Sequence, residues 1–258
     1  MTEVRTQTEP AWYRSLDRRQ WRTLAAANLG RLFDGFETYA LILTAGVALA
    51  QLHPTAGTQT PFYIGLTIAV TLLGWGFGGI LGGIAADYLG RRRVLLISIT
   101  LYSLFTGLSA AAWNWESFLV LRLLTGVTLG SEWGTGMSLV AEMWPAHARA
   151  KAAGLMQCGL GLGFFLASAA WHFIAPLGPG SWRYMFLLGV LPALFALWLR
   201  RGVPESDRWT RGAKRRAALQ GRAELTEEER SYTRFTLRQI LSDRRCAGSR
   251  SSARSCRR

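Results

Sequence analysis

The sequence predicts an all-α integral membrane protein of six transmembrane helices, and three observations predict it. Six apolar runs each approach or exceed the roughly 20 residues that cross the hydrocarbon core of a bilayer. Lysines and arginines fall in alternate connections between those runs. Inside the second and fourth runs glycines recur at four-residue spacing, which lets helix backbones approach closely in lipid.

Taken in order, residues 1–22 form a polar N-terminus, in which Ala11–Arg22 reads as an amphipathic surface helix with Trp12, Tyr13, Leu16 and Trp21 against Arg14, Arg18, Arg19 and Arg22. The spans are placed at 24–50, 62–86, 94–113, 118–143, 153–174 and 183–200, within a bundle covering 23–201. Positive charge precedes the first span and follows the second (Arg91, Arg92, Arg93), the fourth (Arg149, Lys151) and the sixth (Arg200, Arg201). The stretches 51–60, 113–117 and 175–182 carry no Lys or Arg. By the positive-inside rule both ends are cytoplasmic. Trp113, Trp115 and Trp182 then stand where outer-interface anchors belong. Residues 202–245 read as a cytoplasmic linker, in which a capping-box pattern at Thr226 opens a polar helix to about Leu241. Residues 246–258, rich in Ser, Arg and Cys, have no periodicity and read as an out-of-frame or disordered basic tail.

The chain of 258 residues is half hydrophobic and carries a net charge of +14. Sixteen of its thirty basic residues lie from Arg201 onward, and six spans exclude a nucleic-acid binder. The three cysteines, Cys158, Cys246 and Cys256, have no metal-ligand or disulfide-framework spacing. The absence of a zinc, nucleotide or nucleophile constellation predicts no cofactor, no metal and no enzyme activity.

Charged side chains inside spans cost about 2.5–3.5 kcal/mol each on insertion scales, so they are functional candidates. The first span holds Asn28, Arg31, Asp34 and Glu37, the last three stepping by three along the helix. Arg31 can neutralise one carboxylate, which leaves the other unpaired near the middle of the span. The fourth span holds Arg122, near its outer end and able to snorkel, and Glu132 at mid-depth. Gln157, Trp75 and the Gly159, Gly161, Gly163 run can line a cavity or simply pack. A carboxylate in a low-dielectric cavity exchanges protons near neutral pH, and an arginine there offers a planar fork to an anion. These pieces suit a proton-linked carrier of small anions.

Several motifs carry a family resemblance. Gly83-x-x-x-Asp87-x-x-Gly90-Arg91-Arg92 resembles the signature between the second and third spans of the major facilitator superfamily of transporters. Arg122-x-x-x-Gly126-x-x-x-Gly130, with Glu142-x-x-Pro145-x-x-x-Arg149, resembles the fourth-span pattern of its proton-coupled porters. Asp34-Gly35-Phe36-Glu37 resembles the Asp-Gly-Phe-Asp motif of the sialate and monocarboxylate:proton symporters and related aromatic-acid symporters, with Glu in place of the second Asp. Gly130-Ser131-Glu132-Trp133-Gly134 resembles a fourth-span element of the sialate and metabolite:proton branches. Pro204-Glu205-Ser206-Asp207-Arg208-Trp209 resembles a signature of the sugar and metabolite porters.

The resemblance implies one six-helix half of a twelve-helix fold in a cell inner membrane, working by proton-coupled symport of a sialate-like or monocarboxylate-like anion. It implies proton coupling at Asp34, Glu37 or Glu132. Arg122, Arg31, Asn28 and Gln157 become substrate or counter-ion residues. Gly83, Asp87, Gly90, Arg91, Arg92, Glu142, Arg149, Glu205 and Arg208 become parts of a cytoplasmic gate. The implied partners are the bilayer, a small anion, a proton, and a C-terminal six-helix half or a second copy. A general sugar or metabolite porter and a non-transporting membrane fragment are the competing readings.

Overall fold

The computed structural model describes residues 16–192, 205 and 207–219. Among them the regular structure is helical: α1 Arg18–Leu52, α2 Thr60–Leu89, α3 Arg91–Ser109, α4 Trp115–Met143, α5 Arg149–Ile174, α6 Ser181–Leu188 and α7 Asp207–Leu219. Short 3₁₀ turns lie at Pro54–Gln59 and Ala175–Leu177. The chain forms two units, residues 1–207 and 208–258. In the second, the described residues carry all but the first residue of the helix α7.

Each expected span between 24 and 174 is present as a helix, with ends displaced by a turn or less in most cases. The helix α1 starts at Arg18, so residues 18–22 run straight into the first span, and 1–15 lie outside the described residues. At its start the Asp17 N–H donates to Gln20 Oε1 (2.9 Å), and Gln20 Nε2 donates to the Met143 carbonyl (3.0 Å). Asn114 starts α4 through its side-chain oxygen, which accepts from the Ser117 N–H (2.9 Å), satisfying an orphan donor of the first turn. The second half of the sixth expected span, from 193, lies outside the described residues, as do the tail and most of the linker.

Among the described residues three helical stretches are long and apolar enough by themselves to cross a membrane: Arg18–Leu52, Pro54–Leu89 and Arg149–Leu177. The helices α3 and α4 are less apolar because they begin on arginines or carry Arg122 and Glu132 inside. Large side chains such as Phe62, Phe77, Phe165 and Phe173 are more than half exposed. On a water-soluble protein such faces would be a liability; on a membrane bundle they face lipid or another membrane element.

Two helix pairs dominate the packing, α2 with α4 and α1 with α5. Both are glycine contacts. A Cβ on Gly74 would lie 2.6 Å from the Leu123 carbonyl, and one on Gly78 would strike the Val127 carbonyl. From the other side Gly126 and Gly130 abut the carbonyls of Thr71 and Trp75. In the α1–α5 pair Gly35 meets Leu160, and Gly159 and Gly163 meet the carbonyls of Asn28 and Leu32. The Gly159 and Gly163 positions are therefore packing positions, while Gly161 meets nothing within 4 Å.

Trp182 departs from the interfacial role expected of it. It is fully buried against Phe118 and Phe186, and its Nε1 donates to Gln51 Oε1 (2.8 Å). Trp115 donates to Thr67 Oγ1 (3.0 Å), whereas Trp113 is 79% exposed, as an anchor would be. Neighbouring Arg183, which the sequence analysis left without a role, stacks over Trp182 and donates to the Ala110 and Ala112 carbonyls, closing the 3–4 connection.

Candidate functional site

Among the described residues five charged side chains are buried in the bundle: Arg31, Asp34 and Glu37 on α1, and Arg122 and Glu132 on α4. They divide into two groups.

In the first, Arg31 NH1 pairs with Asp34 Oδ2 at 3.2 Å, one helical turn away. Arg31 Nε donates to Gln157 Oε1 (3.0 Å), reaching from α1 to α5. The guanidinium lies over two indoles, 5.8 Å from the Trp75 ring and 5.7 Å from that of Trp133, a cation–π arrangement. Trp133 is 40% exposed, so one wall of this group opens outward. Asn28, one turn before Arg31, donates to the Leu155 carbonyl (2.6 Å) and ties α1 to α5 at the same level. Glu132 packs its carboxylate against Gly30, where a Cβ would collide with Oε1.

In the second group Arg122 NH1 donates to Glu37 Oε1, an ion pair that bridges α4 and α1. Arg122 NH2 donates to Ser109 Oγ (2.6 Å) of α3 and lies 3.3 Å from Thr125 Oγ1. Phe118 and Phe186 cover the guanidinium, 5.4 and 4.7 Å from its carbon. Arg122 is fully buried, so it does not snorkel to the membrane surface. Both α1 carboxylates thus have an arginine partner. The acid without one is Glu132, whose Oε2 is buried and has no hydrogen-bond partner among the described residues.

The motif residues gather at the opposite end of α4. Gly90 has φ +100°, a conformation glycine adopts freely, and it turns α2 directly into α3. The turn brings Arg91 back onto Asp87 (2.9 Å), onto Glu142 of α4 (3.2 Å) and onto the Ala86 carbonyl (2.8 Å). Glu205 Oε1 accepts from the Arg92 N–H (3.2 Å), at the open N-terminus of α3, while Arg19 holds the Glu205 carbonyl (3.2 Å). Gly83 faces open space. Arg149 donates to the Trp144 carbonyl (3.3 Å) and, among the described residues, meets no acid. The Arg208 side chain lies outside the described residues.

Sequence reasoning missed Ser109 and the buried hydroxyls of Tyr102, Ser103 and Thr106 on α3. The signal was available: Tyr102, Thr106 and Ser109 recur at i, i+4 and i+7, a polar stripe on one face of an apolar span. It also missed Trp133 as the second wall beside Arg31.

The Major Facilitator Superfamily model matches residues 28–247. A Haemophilus influenzae protein named for metabolite transport is 37% identical over 82% of this chain and 50% of its own length. The sialic acid transporter NanX of Escherichia coli is 31% identical over 77% of this chain and 47% of its own. Among solved structures, a partially occluded, inward-open xylose transporter XylE from E. coli superposes with a TM-score of 0.68 at 25% identity, over 89% of this chain and 57% of that one. The chain spans about half the length of the curated relatives it matches.

Proposed function

Because this chain belongs to the Major Facilitator Superfamily, a family of membrane transporters and not of enzymes, and folds as one six-helix half of that architecture, we propose that it serves proton-coupled symport of a small organic anion. Transport takes place by alternating access, with a second six-helix half or a second copy supplying the other wall of the cavity. The membrane is the inner membrane, with the Arg91 end of the bundle in the cytoplasm.

The observation that carries the reading is the pair of buried acid–arginine contacts on α1, one bridging to α4 and one to α5 through Gln157. A buried ion pair is strongly destabilised when one partner loses its charge alone. Protonating Glu37 therefore frees Arg122 from α1 and loosens the α1–α4 contact, which couples a proton to a helix movement. Arg31 is the anion's fork: its single contact to Asp34 is one that a substrate carboxylate can displace. The sialic acid carried by NanX is an anion of this class. Asp87, Arg91 and Glu142, with Glu205 across the start of α3, form the cytoplasmic latch.

The test is transport in vesicles by the completed transporter. Glu37→Gln abolishes accumulation against a gradient and spares exchange, since a permanently neutral side chain cannot release a proton. Asp34→Asn has that effect instead if Asp34 carries the coupled proton. Arg31→Lys keeps charge but loses the fork, and weakens anion binding. If both acid neutralisations leave proton-driven accumulation intact, coupling lies elsewhere, with Glu132 next. Saturable proton-dependent uptake by this chain as a monomer would overturn the need for a second half.

A further inference from the structure

We propose that Tyr102 is a proton relay between Glu132 and Glu37, carrying protons through the interior of the bundle along a face of α3. The inference rests on the proton-coupled reading above.

The helix register sets the positions. Ser98 Oγ donates to Ser131 Oγ (2.9 Å), and Ser109 receives Arg122 NH2 (2.6 Å), so α3 and α4 run antiparallel with these residues opposite each other. Tyr102 therefore stands level with the turn around Thr128, between the Glu132 and Arg122 levels. The helix α1 has the matching order, with Gly30 against Glu132 and Glu37 against Arg122. Seven residues of helix separate Gly30 from Glu37, about 10 Å along the axis. Glu132 and Glu37 thus lie too far apart for direct proton transfer, with Asp34 and Tyr102 at the levels between.

Over this interval buried polar atoms without a hydrogen-bond partner among the described residues occur on all three helices. Tyr102 Oη, Ser103 Oγ and Thr106 Oγ1 on α3, Asp34 Oδ1 and Glu37 Oε2 on α1, and Glu132 Oε2 and Arg122 Nε on α4 are all buried without a hydrogen-bond partner among the described residues. The residues that carry them are at most 3% exposed. Buried polar groups are normally satisfied, by protein or by ordered water with two to four polar neighbours. The three helices that carry these atoms pack together, α3 and α1 each against α4. The ionisable groups acting on Tyr102 are Glu132 of α4 and Asp34 and Glu37 of α1, with Arg31 and Arg122 paired to the last two.

In the transfer, Glu132 as a carboxylic acid gives its proton to a bridging water, which passes one to the phenol oxygen as the phenol releases its own towards Glu37. Every intermediate oxygen ends with the hydrogens it began with. The net change is one proton lost by Glu132 and one gained by Glu37.

A tyrosine that only packs gives a different result: removing its hydroxyl leaves the rate of proton exchange between the acids unchanged. The experiment is a pH jump on the purified full chain in lipid nanodiscs, read by time-resolved infrared absorption of the carboxylic C=O bands, assigned with Glu37→Gln and Glu132→Gln. Tyr102→Phe is expected to slow protonation of one acid about 100-fold, the scale of a lost acid–base partner, with the end-point titration and thermal midpoint unchanged. Site-specific replacement of Tyr102 by 3-fluorotyrosine keeps shape and shifts phenol acidity, and is expected to change the same rate if Tyr102→Phe does not fold. Wild-type rates in both variants would overturn the relay alone. A wild-type chain with no titrating carboxylic band would overturn the relay together with the proton-coupled reading.

Discussion

Arg122 and Glu37 form an ion pair across the α4–α1 interface with neither side chain open to solvent, and Ser109 of α3 takes the second arm of the guanidinium. One arginine thus joins three helices at a point closed to bulk solvent.

Removing either member alone leaves the other charge uncompensated. Glu37→Met and Arg122→Met are each expected to lower stability by about 3–5 kcal/mol. The double variant Glu37→Met/Arg122→Met should cost less than the sum, because both desolvated charges are gone. Chemical unfolding of the detergent-solubilised chain, arranged as a double-mutant cycle, measures the coupling. Additive losses would mean that the pair does not act as a unit.

The glycine contacts predict a pattern of tolerance along α2 and α4. A Cβ at Gly78 or Gly130 drives into the backbone of the partner helix, so alanine at either is expected to cost about 1–3 kcal/mol by overpacking. Gly76 and Gly83 meet nothing within 4 Å, so alanine there should leave the melting temperature of the bundle unchanged. Equal effects at all four positions would contradict the α2–α4 register.

Gly90 makes a separate demand. At φ +100° an L side chain is strained, and Gly90→Ala is expected to cost about 1–3 kcal/mol. The same change loosens the placement of Arg91 on Asp87 and Glu142. With ψ at 147° the residue lies close to a backbone region that is essentially glycine's alone, so Gly90→Asn is expected to lose about as much as Gly90→Ala; chemical unfolding of both variants measures it, and recovery by asparagine would contradict this turn geometry.

The distribution of arginines predicts topology. In a background lacking Cys158, Cys246 and Cys256, a cysteine at position 92 should be labelled from the cytoplasmic side only. One placed between 51 and 60 should be labelled from outside. Labelling of position 92 from outside alone would reverse the orientation.

Much of the fold was legible in the chain because its signals are local. Apolar length sets the helices, a glycine between Leu89 and Arg91 sets the turn, and glycines four apart mark the faces of α2 and α4. The same locality made Arg31–Asp34 readable, since residues three apart on a helix are neighbours. It also made Arg31, Asp34, Glu37, Arg122 and Glu132 candidates, since a charge inside a span is costly wherever it ends up.

Which acid meets which arginine was decided only in three dimensions. Composition left one α1 carboxylate unpaired and let Arg122 reach for the surface. The packing of α1 on α4 instead delivers Arg122 to Glu37 and leaves Glu132 without an arginine. Trp182 looked interfacial because it stands at a span end, yet it is buried, since Phe118 and Phe186 close over it. The hydroxyls of Tyr102, Thr106 and Ser109 looked incidental in an apolar span and gained meaning only when α3 was laid against the charged faces of α1 and α4. The sequence by itself determined the helices, their order and the cost of the charges within them, because propensity, length and desolvation act along the chain. The tertiary structure decided the pairings, because contacts between residues as distant as 37 and 122 depend on helix rotation and register, which no single helix specifies.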